Sequence, residues 1–101
     1  MLKIGTERND GKLTVTPEGR LDTTTSPELE AVLKDNYEGL QELVFDMAAL
    51  EYISSAGLRV LLAAQRVMNK QGTMVVRNIN EAIEEIFEVT GFSEILTVEK
   101  E

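Results

Sequence analysis

The sequence predicts an α/β domain built on a mixed, mostly parallel β-sheet with helices, its elements in the order β-β-α-β-α-β-α-β. Short apolar runs at residues 43–46 and 74–76 have the length of buried strands, and each is followed by apolar residues at helical spacing. Near the start, Asn9-Asp10-Gly11 is a turn signal between two alternating runs, which marks a hairpin. The chain has 101 residues and is 43% hydrophobic, enough for one core, so residues 1–101 are expected to form a single domain.

Taken in order, residues 2–7 alternate weakly and 12–16 clearly, with Leu13 and Val15 on one face. After a break at Pro17, Gly19-Arg20-Leu21-Asp22 continues or closes the second strand. Residues 23–28 then read as a helix start, with Ser26 or Thr25 as the cap and Pro27 in the first turn. Leu29, Val32, Leu33 and Tyr37 form the buried face of that helix, and Gly39 lies beyond its end. The third strand is 43–46, and 47–53 is expected to be a loop. A long helix follows from about Ser55 to Lys70 and ends at Gln71-Gly72. After the strand at 74–76, Asn80 caps a helix striped by Ile83, Ile86 and Phe87 and closed by Gly91. Residues 95–98 read as a short last strand. Three successive β-α-β passages imply right-handed crossovers and parallel pairing. In such a sheet the loops leaving the carboxyl ends of the strands gather on one edge. The loops at Asp22-Thr23-Thr24, at 46–55 and at Asn78 should therefore meet there.

Composition removes several kinds of chemistry. Eighteen acidic residues stand against 10 basic ones, a net charge of -8, which argues against nucleic-acid binding because that needs clustered Lys and Arg. The absence of cysteine removes disulfides and thiol chemistry, and the absence of histidine removes the commonest general base and metal ligand. No apolar run approaches the length of a membrane span, and residues 1–4 lack the apolar core of a leader, so the expected setting is cytoplasmic. No phosphate-binding loop of the G-x-x-x-x-G-K-[ST] or G-x-G-x-x-G type occurs, and no cofactor is expected.

The candidate site is the turn Ser54-Ser55-Ala56-Gly57, where a loop on the gathered edge hands over to the long helix. A serine at a helix start caps an otherwise unsatisfied N–H. The same position favours a phosphate through backbone donors and the helix dipole. Two hydroxyls exceed what one cap needs, and Ala56 and Gly57 keep bulk away, although Gly57 also serves if two elements pack closely there. Ser55 is not a catalytic nucleophile: no histidine, G-x-S-x-G elbow or Ser-x-x-Lys pattern activates it, so an enzyme is not expected. Asp46 resembles a phosphoacceptor or Mg²⁺ ligand less than it resembles a turn cap, Asp22 being its only companion carboxylate. Asp22 with Thr23 to Thr25 reads as an Asx/ST turn. Arg59, one turn beyond Ser55, is placed to receive an anionic group, and Arg66 follows on the same face.

From Leu43-Val44-Phe45-Asp46 through Ser54-Ser55-Ala56-Gly57-Leu58-Arg59-Val60-Leu61-Leu62, the chain resembles the STAS domain of bacterial anti-sigma-factor antagonists. Gly19-Arg20-Leu21-Asp22 resembles that family's early G-x-L-D element, and Thr90-Gly91-Phe92 with Ile95 its late L-x-G-[LF] element, with threonine before the glycine. The resemblance implies a STAS-like fold and a binding module that regulates transcription by partner switching. Unmodified, such a protein sequesters an anti-sigma factor that is also a serine kinase. Phosphorylated, it lets go, and a phosphatase restores it. Carried onto this chain, the phosphoserine is Ser55, with Ser54 as second choice. Ser54 stands where the family often has aspartate. Asp22, Thr23, Thr24, Ser54, Ser55, Ala56, Gly57 and Arg59 become the expected partner surface, with no direct contact to nucleic acid or membrane. The alternative is a constitutive STAS-like scaffold, or a sensor of a small ligand or nucleotide, in which the serines only cap the helix.

Overall fold

The computed structural model describes residues 2–99; the chain ends included in the single-domain expectation (residue 1 and residues 100–101) lie outside them. Strands β1 (Leu2–Asn9) and β2 (Lys12–Leu21) form the expected hairpin, with Asn9 opposite Lys12 across a two-residue turn. Asp10 takes a left-handed φ of 53°, which aspartate tolerates. Beyond the hairpin come α1 (Ser26–Asn36), β3 (Glu42–Asp46), β4 (Leu50–Ile53), α2 (Ser55–Gln71), β5 (Thr73–Arg77), α3 (Glu81–Thr90), a single turn α4 (Phe92–Ile95) and β6 (Val98–Glu99).

The sheet runs β1-β2-β3-β5-β6, antiparallel only at the hairpin, as the element order requires. On its second edge β2 changes partner along its length. Lys12 to Val15 pair with β3, and Gly19 to Leu21 pair with β4. Pro17 falls in the gap between those pairings, where its missing N–H is tolerated. A register shift follows at Gly19, whose φ of 105° is one that a side chain would resist. The proline therefore interrupts the ladder and not the strand, and β2 is continuous over ten residues.

Two expectations are corrected at the element level. Residues 47–53 are not all loop, because 50–53 form β4. That strand shows no two-residue alternation: Leu50 and Ile53 are buried and Glu51 and Tyr52 exposed. The last strand is not 95–98. Phe92–Ile95 form a helical turn in which the Leu96 amide donates to the Phe92 carbonyl, and the strand starts at Val98. Gly91, left-handed at φ 80°, does close α3, and the next turn begins from it.

Leu43, Val44 and Phe45 of β3 are all buried, as a central strand covered on both faces demands. Leu29 and Leu33 of α1, Leu61 and Met68 of α2 and Phe87 of α3 complete the core around them, with Val32 and Tyr37 only half-buried. Partial burial lifts the Tyr37 phenol to about 12. Arg8 of β1 donates to the carbonyls of Asn36 and Glu38, so a hairpin residue satisfies oxygens left open at the end of α1. Phe45 is fully buried in the central strand. Replacing it with alanine should cost about 3–5 kcal/mol, read as a fall in the urea midpoint with m unchanged.

Candidate functional site

The site is assembled at the carboxyl edge of the sheet, where β2 and β4 end side by side. The Ser54 amide donates to the Leu21 carbonyl at 2.9 Å, so the residue before Asp22 is tied to the residue before Ser55. Behind that bond the chain leaves no room. A Cβ on Gly57 would stand 2.8 Å from side-chain atoms of both Ile53 and Leu21, which are themselves buried. Gly57 is thus a packing glycine. It contributes to the edge through the space it leaves, since it is itself buried.

The two serines divide the work. Ser54 is the N-cap of α2, its backbone extended and its Oγ accepting from the Gly57 amide at 3.5 Å. The Leu58 amide donates to the Ser54 carbonyl and closes the first turn. Ser55 is the first helical residue, is exposed, and its hydroxyl makes no hydrogen bond among the described residues. Capping by both serines, the bland alternative, does not describe Ser55.

The Asp22 loop is shaped as an Asx/ST turn. Asp22 Oδ1 accepts from the amides of Thr24 and Thr25 and from the Thr25 hydroxyl. The Thr25 amide, foremost, holds the Asp22 carboxyl below the usual aspartate range, so the group is charged near neutrality. The expected side-chain cap on α1 is absent. Thr25 occupies the N-cap without capping, because its Oγ1 instead donates to the Arg20 carbonyl and accepts from the Asp22 amide. Ser26 lies within the helix, and its Oγ donates to the Asp22 carbonyl at 2.5 Å. Both hydroxyls are spent on fastening β2 to α1.

Between these two loops lies a shallow cavity of about 210 Å³ lined by Thr23, Ser26, Pro27, Glu30, Ala56, Arg59 and Val60. It brings Thr23, Ala56 and Arg59 together. Glu30 and Val60 were not among the sequence candidates. Their signal is spacing: 26, 27 and 30 share one face at the start of α1, and 56, 59 and 60 share one at the start of α2. The Arg59 guanidinium has no ion pair among the described residues. Thr24 is exposed beside the cavity.

The Asn78 loop joins the edge through Asp46. Asp46 Oδ1 accepts from the Ala48 amide and from Asn78 Nδ2, the turn-capping use, and the Met47 amide donates to the Arg77 carbonyl. Asn78 holds a left-handed φ of 60°. Asn80 caps α3 as expected and also donates to the Leu50 carbonyl, fixing α3 to β4. No group of three or more acidic side chains is close enough to hold a metal ion among the described residues. No described helix is long and apolar enough to cross a membrane.

The model of the STAS domain family matches residues 3–101. The chain belongs to the STAS family. It is 35% identical to BtrV of Bordetella bronchiseptica, named as an anti-sigma factor antagonist, over 96% of this chain and 85% of that protein. A crystal structure of an anti-sigma factor antagonist from Mycobacterium paratuberculosis superposes with a TM-score of 0.88 at 25% identity, covering 97% of this chain and 85% of the other. Bacillus SpoIIAA in its phosphorylated form shares the fold at a TM-score of 0.77 and 14% identity, over 98% of this chain and 93% of that one. Anti-sigma factor antagonists of the STAS family are binding and regulatory proteins and not enzymes.

Gly57→Ala should cost about 1–3 kcal/mol by overpacking against Leu21 and Ile53, measured by urea denaturation; an unchanged midpoint would mean that the turn has room to give. A carbon-detected NMR titration should place the Asp22 midpoint below the ~3.9 of a free aspartate. Because the folded value is the depressed one, the stability Asp22 contributes is full above the unfolded value and is lost as pH falls through the folded value.

Proposed function

We propose that this STAS domain is an anti-sigma-factor antagonist whose binding is switched by phosphorylation of Ser55. The observation that carries the reading is the split between the serines: Ser54 is committed to the cap, and Ser55 stands exposed on the same turn with an uncommitted hydroxyl. The 35% identity to BtrV, an anti-sigma factor antagonist by name, supports the antagonist part. The partner is an anti-sigma factor that is also a serine kinase. It transfers the γ-phosphoryl of ATP to Ser55 Oγ, releasing ADP and the hydroxyl proton, and a phosphatase reverses the modification by hydrolysis. The setting is the cytoplasm.

Phosphorylation adds about -1.5 to -2 charges and three acceptor oxygens. The domain tolerates this without refolding, because the group sits on the first turn of a 17-residue helix, where the dipole favours an anion. Arg59, one turn on, adds a cation at i+4 spacing. The fold shared with phosphorylated SpoIIAA fits a rigid domain edited at its surface. The cost falls on the partner, which must accommodate a bulky dianion where a hydroxyl fitted, beside an Asp22 that is already charged. A penalty of about 3 kcal/mol releases the partner roughly a hundredfold.

Incubation with the cognate kinase and ATP, followed by mass-spectrometric mapping, should place one phosphate on Ser55, with Ser54 as the position that would revise the assignment. Ser55→Ala should abolish modification and keep binding to the kinase, and Ser55→Asp should weaken binding. Equal affinities for the two variants would leave a constitutive scaffold in place of a switch.

A further inference from the structure

Helix α3 carries more apolar surface than its core packing uses. Ile83 and Phe87 point into the core and are buried. A second stripe, Ala82, Ile86 and Val89, runs along the helix at i, i+4, i+7 spacing; Ile86 is half-buried and packs partly against the core, whereas Ala82 is exposed and Val89 at the end is 81% exposed. Together with Tyr52 of β4, 38% exposed, this stripe walls an apolar groove of about 490 Å³. Neither wall is loose. Asn80 ties the start of α3 to the Leu50 carbonyl of β4, and the Arg20 guanidinium lies 4.3 Å from the centre of the Tyr52 ring. A single-helix lid over a core needs one apolar stripe, so a second stripe facing a rigid aromatic wall is surface kept for contact.

The rim identifies the occupant. Glu85 lines the groove, and the exposed Glu81, Glu88 and Glu51 are the chain neighbours of its Ala82, Val89 and Tyr52, in a chain of net charge -8; Arg20 is the cation beside Tyr52. A second copy docked face to face would set these carboxylates against one another. An apolar segment flanked by Lys and Arg meets both the floor and the rim. We propose that the groove between β4 and α3 is a docking trough for a basic amphipathic helix of a protein partner, its apolar face on Tyr52, Ile86 and Val89. Tyr52 lies on the strand that delivers Ser54 and Ser55, so the trough continues the switched edge. The helix therefore belongs to the anti-sigma partner, an identification that rests on the function proposed above, whereas the chemistry of the trough does not. The trough supplies apolar contact that phosphorylation leaves intact, and Ser55 supplies the control.

The test is an amide NMR titration of the full chain with a synthetic amphipathic helical peptide of leucines and lysines. Saturable shifts confined to β4 and α3 are expected, and none with the same peptide carrying glutamate for lysine. Val89→Asp is the deciding variant: it adds an acid, so attraction by bulk charge alone would keep or tighten binding, whereas trough docking should weaken about tenfold or more. Val89→Gln should weaken it without changing charge. Scattered shifts, or undiminished binding by Val89→Asp, overturn the proposal. So do concentration-dependent shifts at Val89 without peptide, which would make the occupant a second copy. Ser55→Asp should leave peptide binding within about twofold, since the trough does not use that side chain. A failed Ser55 switch with a working trough removes only the partner's identity, and a failed trough with a working switch removes only the trough.

Discussion

The hydrogen bond from the Ser54 amide to the Leu21 carbonyl, with Gly57 packed against Leu21 and Ile53 behind it, is the joint on which the rest of the site depends. It exists because β2 serves two partners along one edge. β3 takes the first half of the strand and β4 the second, so the chain between Asp46 and Ser55 crosses from one to the other and delivers α2 at the end of β2. Without that exchange the Asp22 loop and the serine turn would end on different strands with nothing holding them in register. The glycine makes the joint tight, since any side chain at position 57 would push α2 away from the strand ends.

Around that joint, polar groups are used almost entirely for position. Asp22, Thr25 and Ser26 spend their side-chain hydrogen bonds, Asp22 through Oδ1, on one another, on the Thr24 amide and on the β2 backbone. Asp46 and Asn78 do the same for the neighbouring loop, and Ser54 for the start of α2. Ser55 and Thr23 keep exposed hydroxyls with no internal partner among the described residues, and of the two Ser55 stands on the first turn of a helix. A domain whose edge is fixed by its own hydrogen bonds can change charge at Ser55 without changing shape, which places the consequence of modification in the partner. The proposed trough beside Tyr52 is likewise a rigid surface, held by Asn80 and Arg20 and separate from the Ser55 side chain.

Much of the fold was legible in the residues because it rests on strong local signals. The Asn9-Asp10-Gly11 turn, the Asn80 cap, Gly91 at the end of α3 and the α2 boundaries, within one residue at the C-terminal end, all follow from backbone chemistry confined to a few positions. What failed was not local. Leu50–Ile53 carries no strand pattern of its own, and its ladder exists only because β2 offers an edge beyond Pro17. Ser26 or Thr25 is the expected cap of α1 and neither caps it: the Arg20 carbonyl and the Asp22 amide, brought near by the loop, take the Thr25 hydroxyl, and Ser26 lies inside the helix with its hydroxyl on the Asp22 carbonyl. The single turn Phe92–Ile95 likewise has too few residues to show a period.

By itself the sequence determined the order of elements apart from β4 and α4, the parallel sheet, the exclusion of histidine- and cysteine-based chemistry and the family, because each depends on residue type and short spacing. It also singled out Ser54 to Gly57 and the Asp22 loop as neighbours, through the rule that strand ends share an edge. Only the tertiary structure decided which serine caps and which is exposed, and that Gly57 is buried against Leu21. The same is true of the cavity that Glu30 and Arg59 share, and of the surplus apolar stripe on α3 facing Tyr52. These are relations between segments far apart in the chain, fixed by how β2 divides its edge, and no local pattern records them.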